Sequence, residues 1–279
     1  MKKVAILNDI HGNYLLLKKA LNSLENEKVD DYIFCGDMIT DGFENNEVLD
    51  LIKSKTNNVV AGNREVSLVN YDGSSWINLR QWQPMLYVHN NLSKENKKFI
   101  SSLPLFKIIK IENKTICISH GSPYKDRDLV YSNSCELFNK LIEDFGCDIY
   151  LFAHTHRPFY IQYRGKYFIN CGAVSLLATG QPLSTYGILT IDHEKINYDY
   201  IEQSYSFEEL KTYFLKSDYY RSCGQWSNLL IYMLRDGFNY NCDFIAYLNE
   251  YSKGNNQVNN EIWNEKFKEY MKIKKLKIL

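Results

Sequence analysis

Five short polar motifs carry side chains that could bind metal ions, and each follows a short apolar run. The motifs are Asp9-Ile10-His11-Gly12, Gly36-Asp37, Gly62-Asn63-Arg64-Glu65, Ser119-His120-Gly121 and Ala153-His154-Thr155-His156. Imidazole suits divalent first-row transition metals, whereas carboxylate and amide oxygens also accept harder cations. One D-x-H motif would mean little, but five motifs in this order are specific. They predict a metal site with the ligands Asp9, His11, Asp37, Asn63, His120, His154 and His156.

The chemistry that fits such a ligand set is hydrolysis at a phosphoryl group. One central carboxylate can bridge two cations, and two metals ~4 Å apart can clamp the attacking and the leaving oxygen. A water shared by the two metals has a lowered pKa, so the bridging hydroxide becomes the nucleophile at neutral pH.

An alternation of strands and helices would bring the motifs together. Apolar runs at residues 3–8, 31–35 and 57–61 predict buried strands. Residues 13–24, with leucines at helical spacing, and residues 44–53 predict the intervening helices. This order favours a parallel α/β sheet with right-handed crossovers. Such sheets bind ligands at the carboxyl ends of their strands, so the motifs could converge at one edge.

The middle of the chain predicts a different kind of strand pairing. Three pairs of apolar runs flank short turns, at 106–111 and 114–119, 159–163 and 166–170, and 186–191 and 195–201. These pairs predict hairpins. Parallel pairs early and hairpins late indicate mixed sheets, which could stack as two layers.

Two further segments set the expected domain organisation. We expect residues 1–204 to form the domain with the motifs and residues 205–279 to form a helical C-terminal extension. Residues 66–92 carry Tyr71, Trp76, Trp82 and Tyr87 and predict a partly helical insertion that could act as a lid. The alternative is that these aromatic rings only fill local core.

Composition narrows the classes of function. Lys+Arg and Asp+Glu both number 33, so there is no net attraction to nucleic acid or to an anionic membrane. The seven cysteines form no C-x-x-C pair, which favours reduced thiols over a disulfide framework. No apolar run reaches the ~18 residues that a membrane span needs. The expectation is a cytoplasmic protein without a membrane anchor.

Two segments resemble the calcineurin-like metallophosphoesterase superfamily. Asp9-Ile10-His11-Gly12-Asn13 is similar to the opening D-x-H-G-N motif of its bacterial small-phosphodiesterase branch. Asn170-Cys171-Gly172-Ala173-Val174 resembles that branch's N-P-G-S-V segment, with Cys and Ala in place of Pro and Ser. The resemblance covers about residues 1–200 and implies a four-layered αββα sandwich with mixed sheets. The helical C-terminal extension lies outside it.

The resemblance also implies how the ligands divide between two divalent metal ions. The first ion would take Asp9, His11 and His156, the second would take Asn63, His120 and His154, and Asp37 would bridge them. The family's usual metals are manganese, iron, zinc and nickel, and the sequence does not choose among them.

Arg64 is the main departure from the family pattern. The family's third motif is G-N-H-D/E, whose His is thought to protonate or steady the leaving oxygen. Arginine cannot release a proton near neutral pH. Arg64 could instead grip a phosphoryl oxygen beside Asn63 and His120 in the catalytic centre, or it could pair with a carboxylate and point away. Asn13 would either bind substrate or cap the first helix.

The expected substrate follows from the missing general acid. General acid help is worth ~100- to 10,000-fold, so leaving groups that depart without protonation are favoured. The prediction is a phosphoesterase acting on a small phosphodiester or phosphoanhydride, with a nucleotide-containing compound such as a dinucleoside polyphosphate as one form. The alternatives are a protein-binding scaffold with little activity, a protein or small-molecule phosphomonoesterase, and a nuclease acting on polymers. The sequence does not indicate an oligomeric state.

Overall fold

The computed structural model describes residues 1–74, 80–193, 195–252 and 258–279. Trp76 of the predicted insertion lies outside the described residues. The strands are β1 Lys2–Leu7, β2 Asp31–Phe34, β3 Phe106–Ile111, β4 Lys114–Ser119, β5 Ile149–Phe152, β6 Phe159–Tyr163, β7 Lys166–Asn170, β8 Leu183–Asp192 and β9 Lys195–Ser204. The helices are α1 Tyr14–Glu27, α2 Asn45–Lys55, α3 Asn63–Val69, α4 Gln83–Asn91, α5 Lys94–Ser101, α6 Cys135–Phe145, α7 Phe207–Leu215, α8 Asp218–Asp236, α9 Tyr240–Tyr251 and α10 Asn260–Ile273.

The strands form two mixed sheets, as predicted. One has the order β2-β1-β8-β9, and the other has the order β3-β4-β5-β7-β6. Strand β1 is parallel to β2, and β5 is parallel to both β4 and β7. The three predicted hairpins are confirmed as the antiparallel pairs β3–β4, β6–β7 and β8–β9.

The prediction of a strand over residues 57–61 is wrong. This segment makes one parallel bridge, between Phe34 and Val59. The Val60 N–H donates to the Phe34 carbonyl (3.1 Å), but the Ala61 N–H turns to the Pro104 carbonyl (2.9 Å). Helix α3 begins at Asn63, so the chain leaves the sheet edge after a single bridge.

Helices cover both outer faces of the stacked sheets, which gives the four-layered αββα sandwich. Side chains from both sheets meet in one apolar cluster that includes Val4, Ile6, Ile118 and Leu151. Helices α1 and α2 pack on the other face of the first sheet, and α6 packs on the other face of the second. Strand β1 contributes alternate residues to two clusters, which explains why its sequence is apolar throughout.

The C-terminal helices pack in two ways. Helices α7 and α8 contribute Leu210, Phe214 and Leu230 to the cluster that also holds α1 and α2. Helices α8, α9 and α10 form a further cluster around Phe244 and Trp263. The division into domains at residue 204 stays a prediction. Among the described helices, none has the length and apolar character needed to cross a membrane.

Candidate metal centre

The topology brings the predicted ligands to one edge of the two stacked sheets. Asp9 and His11 follow β1, Asp37 follows β2, His120 follows β4, and the last two histidines follow β5. Asn63 is the first residue of α3. Loops after parallel strands therefore supply six of the seven side chains, and a helix N-terminus supplies the amide.

Strained backbone accompanies these side chains. Five of the seven predicted ligands have φ between 49° and 65°, in the left-handed region that non-glycine residues rarely adopt. Such residues persist where the surrounding structure determines them, and they cluster at functional sites. The five are Asp9, His11, Asp37, His154 and His156.

The first cluster consists of Asp9, His11 and His156, each with one ligand atom within 4.8 Å of the others. The Nε2 atoms of His11 and His156 lie 3.2 Å apart. The Asp9 Oδ1 lies 3.4 Å from the His156 Nε2 and 3.9 Å from the His11 Nε2. Both Asp9 oxygens are buried without a hydrogen-bond partner among the described residues.

The second cluster consists of Asp37, His120 and His154, again within 4.8 Å of one another. The His120 Nε2 lies 3.4 Å from the Asp37 Oδ1 and 3.0 Å from the Asn63 Oδ1. Asn63 therefore joins this cluster through its amide oxygen.

Asp37 has the position that a bridging ligand needs. Its Oδ1 faces His120 of the second cluster, while its Oδ2 lies 3.8 Å from the His11 Nε2 of the first. The Arg64 backbone N–H donates to the Asp37 Oδ1 (2.8 Å) and orients the carboxylate. One carboxylate thus faces both clusters.

The donor chemistry of the clusters fits bound cations. The Nδ1 of His120 lies 2.8 Å from the Cys35 carbonyl, and the Nδ1 of His156 lies 2.7 Å from the Leu176 carbonyl. Each Nδ1 must carry a proton to make that bond, so in the neutral imidazole the lone pair is on Nε2. The His156 Nε2 faces the His11 Nε2, and the His120 Nε2 faces carboxylate and amide oxygens, an arrangement that a cation or added protons must stabilise.

Without a bound metal ion, protons stabilise part of this arrangement. Burial alone would lower the pKa of His120, but the Asp37 and Asp9 carboxylates raise it to about 9. Burial, together with the neighbouring His120, lowers the pKa of His154 to about 4. Burial opposes ionisation of Asp37, yet His120, His11 and Arg64 hold its pKa well below the usual range. A bound metal ion would therefore compete with protons for the same side chains.

Arg64 is held at the centre by Asp41, a residue outside the five predicted motifs. The Arg64 Nη2 lies 2.8 Å from the Asp41 Oδ2. The same carboxylate lies 3.3 Å from the His11 Nδ1 and accepts a hydrogen bond from the Trp226 Nε1 (2.9 Å). Burial opposes ionisation of Asp41, but Arg64 and His11 keep its pKa far below normal. Asp41 thus connects a predicted ligand, Arg64 and helix α8.

Glu65 supports the loop that carries Asp37. Its carboxylate accepts backbone N–H bonds from Gly62 (2.7 Å), Asp37 (3.0 Å), Met38 (2.9 Å) and Ile39 (3.2 Å). Burial and the nearby Asp37 carboxylate raise the pKa of Glu65 to about 7, while its N–H donors favour the ionised form. Glu65 therefore fixes the backbone around a ligand without facing the clusters.

Asn13 has a structural role in this arrangement. Its Oδ1 accepts from the Leu16 N–H at the start of α1 (3.2 Å), and its Nδ2 donates to the Ser175 hydroxyl (3.3 Å). The side chain is 1% exposed. Of the two roles predicted for Asn13, capping is confirmed, and contact with substrate stays a prediction.

A cavity of about 430 Å³ opens over the two clusters. Predicted ligands and Arg64 line its floor. Residues of the predicted insertion line one wall, namely Ser67, Gln81, Trp82, Pro84 and Met85. Residues of α8 and α9 line another, including Trp226, Leu230, Met233, Asn241 and Ile245. The insertion and the C-terminal helices therefore both reach the site, while the lid role of residues 66–92 stays a prediction.

The sequence of the chain matches that of known proteins over most of its length. A sequence model of the calcineurin-like phosphoesterase superfamily domain matches residues 1–194. An uncharacterised protein of Methanocaldococcus jannaschii is 26% identical in an alignment over 225 residues that covers 72% of this chain and 90% of the relative.

Solved structures share the fold at lower sequence identity. A metallophosphoesterase from Sphaerobacter thermophilus is 21% identical and has a TM-score of 0.68. A hypothetical protein from Pyrococcus horikoshii OT3 is 18% identical and also has a TM-score of 0.68. Each comparison covers 85% of this chain and 99% of the other.

Proposed function

The chain belongs to the calcineurin-like phosphoesterase superfamily and is a metal-dependent phosphoesterase, and we propose that it hydrolyses a small phosphodiester or phosphoanhydride that contains a nucleotide. The observation that carries this proposal is the arrangement of the cavity. Both ligand clusters and Arg64 line one chamber of a size typical for small molecules.

Seven side chains would hold two divalent ions. The first cluster supplies Asp9, His11 and His156, the second supplies His120, His154 and Asn63, and Asp37 faces both. Two bound ions would supply Lewis-acid polarisation of the phosphoryl group and would acidify a water molecule. The donor set accepts manganese, iron, zinc or nickel, and manganese is the first choice for reconstitution.

Arg64 would orient the phosphoryl group. Its Nη2 is paired with Asp41, but its Nε is buried and has no hydrogen-bond partner in the described part of the chain. The side chain lines the cavity beside Asp37 and Asn63. A guanidinium held by one carboxylate still presents further N–H groups, and these match the spacing of phosphoryl oxygens.

Proton supply is the main restriction on the substrate. Arg64 keeps its proton near neutral pH, and the Nδ1 proton of His120 is engaged by the Cys35 carbonyl. A simple alkoxide leaving group needs a proton, whereas a nucleotide phosphate or a nitrophenolate departs without one. Anhydrides and activated diesters are therefore the favoured substrates.

The cavity walls favour a small organic substrate over a polymer or a phosphoprotein. Apolar side chains from both walls, among them Met85, Trp226 and Leu230, enclose the space above the clusters. A nucleoside attached to the reacting phosphoryl group would bury its apolar faces there. A continuous nucleic-acid strand would instead need an open basic groove.

A panel of phosphate esters tests the proposed function. The protein is treated with a chelator, reconstituted with Mn²⁺, and assayed with diadenosine tetraphosphate, bis(4-nitrophenyl) phosphate, 4-nitrophenyl phosphate and glycerol phosphate. We expect metal-dependent turnover of the first two and at least ~100-fold slower turnover of glycerol phosphate. Faster turnover of glycerol phosphate than of the anhydride would contradict the proposal. An intact, metal-loaded protein that hydrolyses none of the four would favour the scaffold alternative.

A further inference from the structure

We propose that Asn241 and Gln81 form a subsite that recognises the amino-bearing edge of a nucleobase, with adenine as the fitting chemistry. This inference rests on the proposed function, because it names the group that would occupy the cavity above the phosphoryl site. Asn241 belongs to α9, and Gln81 precedes α4. Both side chains line the cavity that holds the metal clusters.

Asn241 carries the first of the two acceptors. Its side chain is only 7% exposed, and its Oδ1 is buried without a hydrogen-bond partner among the described residues. A buried polar atom left unpaired costs ~1–3 kcal/mol, so proteins rarely keep one without a reason. Asn241 lines the ligand cavity, so a molecule bound there that reaches this side chain could donate to the Oδ1.

The orientation of this amide follows from its other contact. The Asn241 Nδ2 donates to the Trp226 backbone carbonyl at 3.4 Å. Reversing the amide would place its oxygen against that carbonyl, which is unfavourable. The group presented by Asn241 is therefore an acceptor, and it requires an N–H or O–H donor on the ligand.

Gln81, which also lines the cavity, carries a similar acceptor. Its Oε1 is also buried without a hydrogen-bond partner in the described residues. The two residues come from segments 160 positions apart, yet both line one chamber. Side-chain amides bind the edge of adenine through its amino group and ring nitrogens. The Trp82, Met85 and Trp226 side chains in the same walls would cover the faces of such a ring.

Equilibrium binding of two matched phosphates tests the subsite. The full-length protein, with and without Mn²⁺, is titrated calorimetrically with AMP and with ribose 5-phosphate, which has the same sugar phosphate but no base. We expect AMP to bind at least tenfold more tightly. Purine riboside 5′-monophosphate, which lacks the amino group, should fall between the two.

Substitutions on one helix provide the control. Asn241→Leu should weaken AMP binding by about 5- to 20-fold and leave ribose 5-phosphate unchanged. Asn249→Leu is the matched control, because Asn249 lies on α9, also has an unpaired buried Oδ1, and does not line the cavity. Gln81→Leu, on the other wall, gives a second and independent variant with the same expected selectivity.

The outcomes separate this inference from the proposed function. Equal affinities for AMP and ribose 5-phosphate would overturn the subsite, even if the enzyme hydrolyses bis(4-nitrophenyl) phosphate rapidly. Equal losses of AMP affinity in Asn241→Leu and Asn249→Leu would overturn it as well. Base-dependent binding that responds to Asn241→Leu and Gln81→Leu would support the subsite, even in a protein that hydrolyses no phosphate ester.

Discussion

The ion pair between Asp41 and Arg64 should contribute measurably to the stability of the metal centre. Asp41→Asn removes the carboxylate charge but keeps an amide oxygen that can still accept from the Trp226 indole. The substitution leaves the Arg64 guanidinium with the more distant Asp37, whose Oδ2 lies 3.9 Å from the Arg64 Nε. The change therefore tests the charge interaction more than the packing.

The expected magnitude follows from distance and burial. At the 2.8 Å separation of Nη2 and Oδ2, an effective dielectric constant of ~20 gives a Coulomb energy of ~6 kcal/mol. The Asp41 side chain is 3% exposed, but Arg64 is 28% exposed, so solvent screens part of this energy. In Asp41→Asn, the remaining contact between Arg64 and Asp37 compensates for a further part of the lost Coulomb energy. We expect a coupling free energy of ~2 kcal/mol between Asp41 and Arg64.

A double-mutant cycle measures this coupling. Asp41→Asn, Arg64→Gln and the double variant are unfolded in urea with a chelator present, so that altered metal binding at His11 does not contribute. Lys2 and Asp30 supply the control cycle, because their 3.1 Å pair joins side chains that are 50% and 38% exposed. That pair should couple by no more than ~0.5 kcal/mol. A coupling for Asp41 and Arg64 as small as that of the control pair would contradict a strong charge interaction between these two side chains.

Three further predictions concern the centre itself. Gly62→Ala should abolish binding of at least one ion, because a Cβ there would lie 2.3 Å from the Asp37 Oδ1. Metal analysis of the purified variant measures this loss. The control variant Gly165→Ala, with open space around its Cβ, should keep full metal content. Manganese affinity should rise about tenfold per pH unit from about pH 7 to about pH 9. The reason is that binding displaces a proton from His120, whose pKa is about 9 without metal. An affinity that calorimetry finds to be independent of pH over this range would contradict the prediction. Arg64→His should raise turnover of glycerol phosphate relative to diadenosine tetraphosphate by ~100-fold, since an imidazole can supply the missing proton. An unchanged ratio of the two rates would show that protonation of the leaving group does not limit turnover.

The convergence of the candidate ligands could be predicted because local sequence places them. Each polar motif follows a short apolar run or opens a helix, and the carboxyl ends of parallel strands meet at one edge. The same local signal wrongly predicted a strand at residues 57–61. A segment that makes a single bridge, here to Phe34, has the same apolar sequence as one that forms a full strand. The hairpins were predictable because their partners are adjacent in sequence.

The residues around the ligands could not be predicted, because their contacts are distant in sequence. Asp41 and Trp226 are hydrogen-bonded across 185 positions, and no spacing rule connects them. Asn241 lies in a helix whose amphipathic pattern indicates packing but not which cavity its polar side chains reach. The Gly62-Asn63-Arg64-Glu65 motif suggested that Arg64 grips phosphate or pairs with a carboxylate, and the geometry of its Nη2 and Nε is compatible with both at once.

Metal stoichiometry tests whether the chain binds two ions bridged by Asp37. The protein is freed of metal with a chelator, dialysed against Mn²⁺, and measured by mass spectrometry of the metal per mole of chain. The paired ligand clusters predict two manganese ions per chain in the natural protein, and fewer than two in Asp37→Ala, which loses the carboxylate facing both clusters. A single ion per chain at saturating Mn²⁺, or an unchanged content of two in Asp37→Ala, would contradict a dinuclear centre bridged by Asp37.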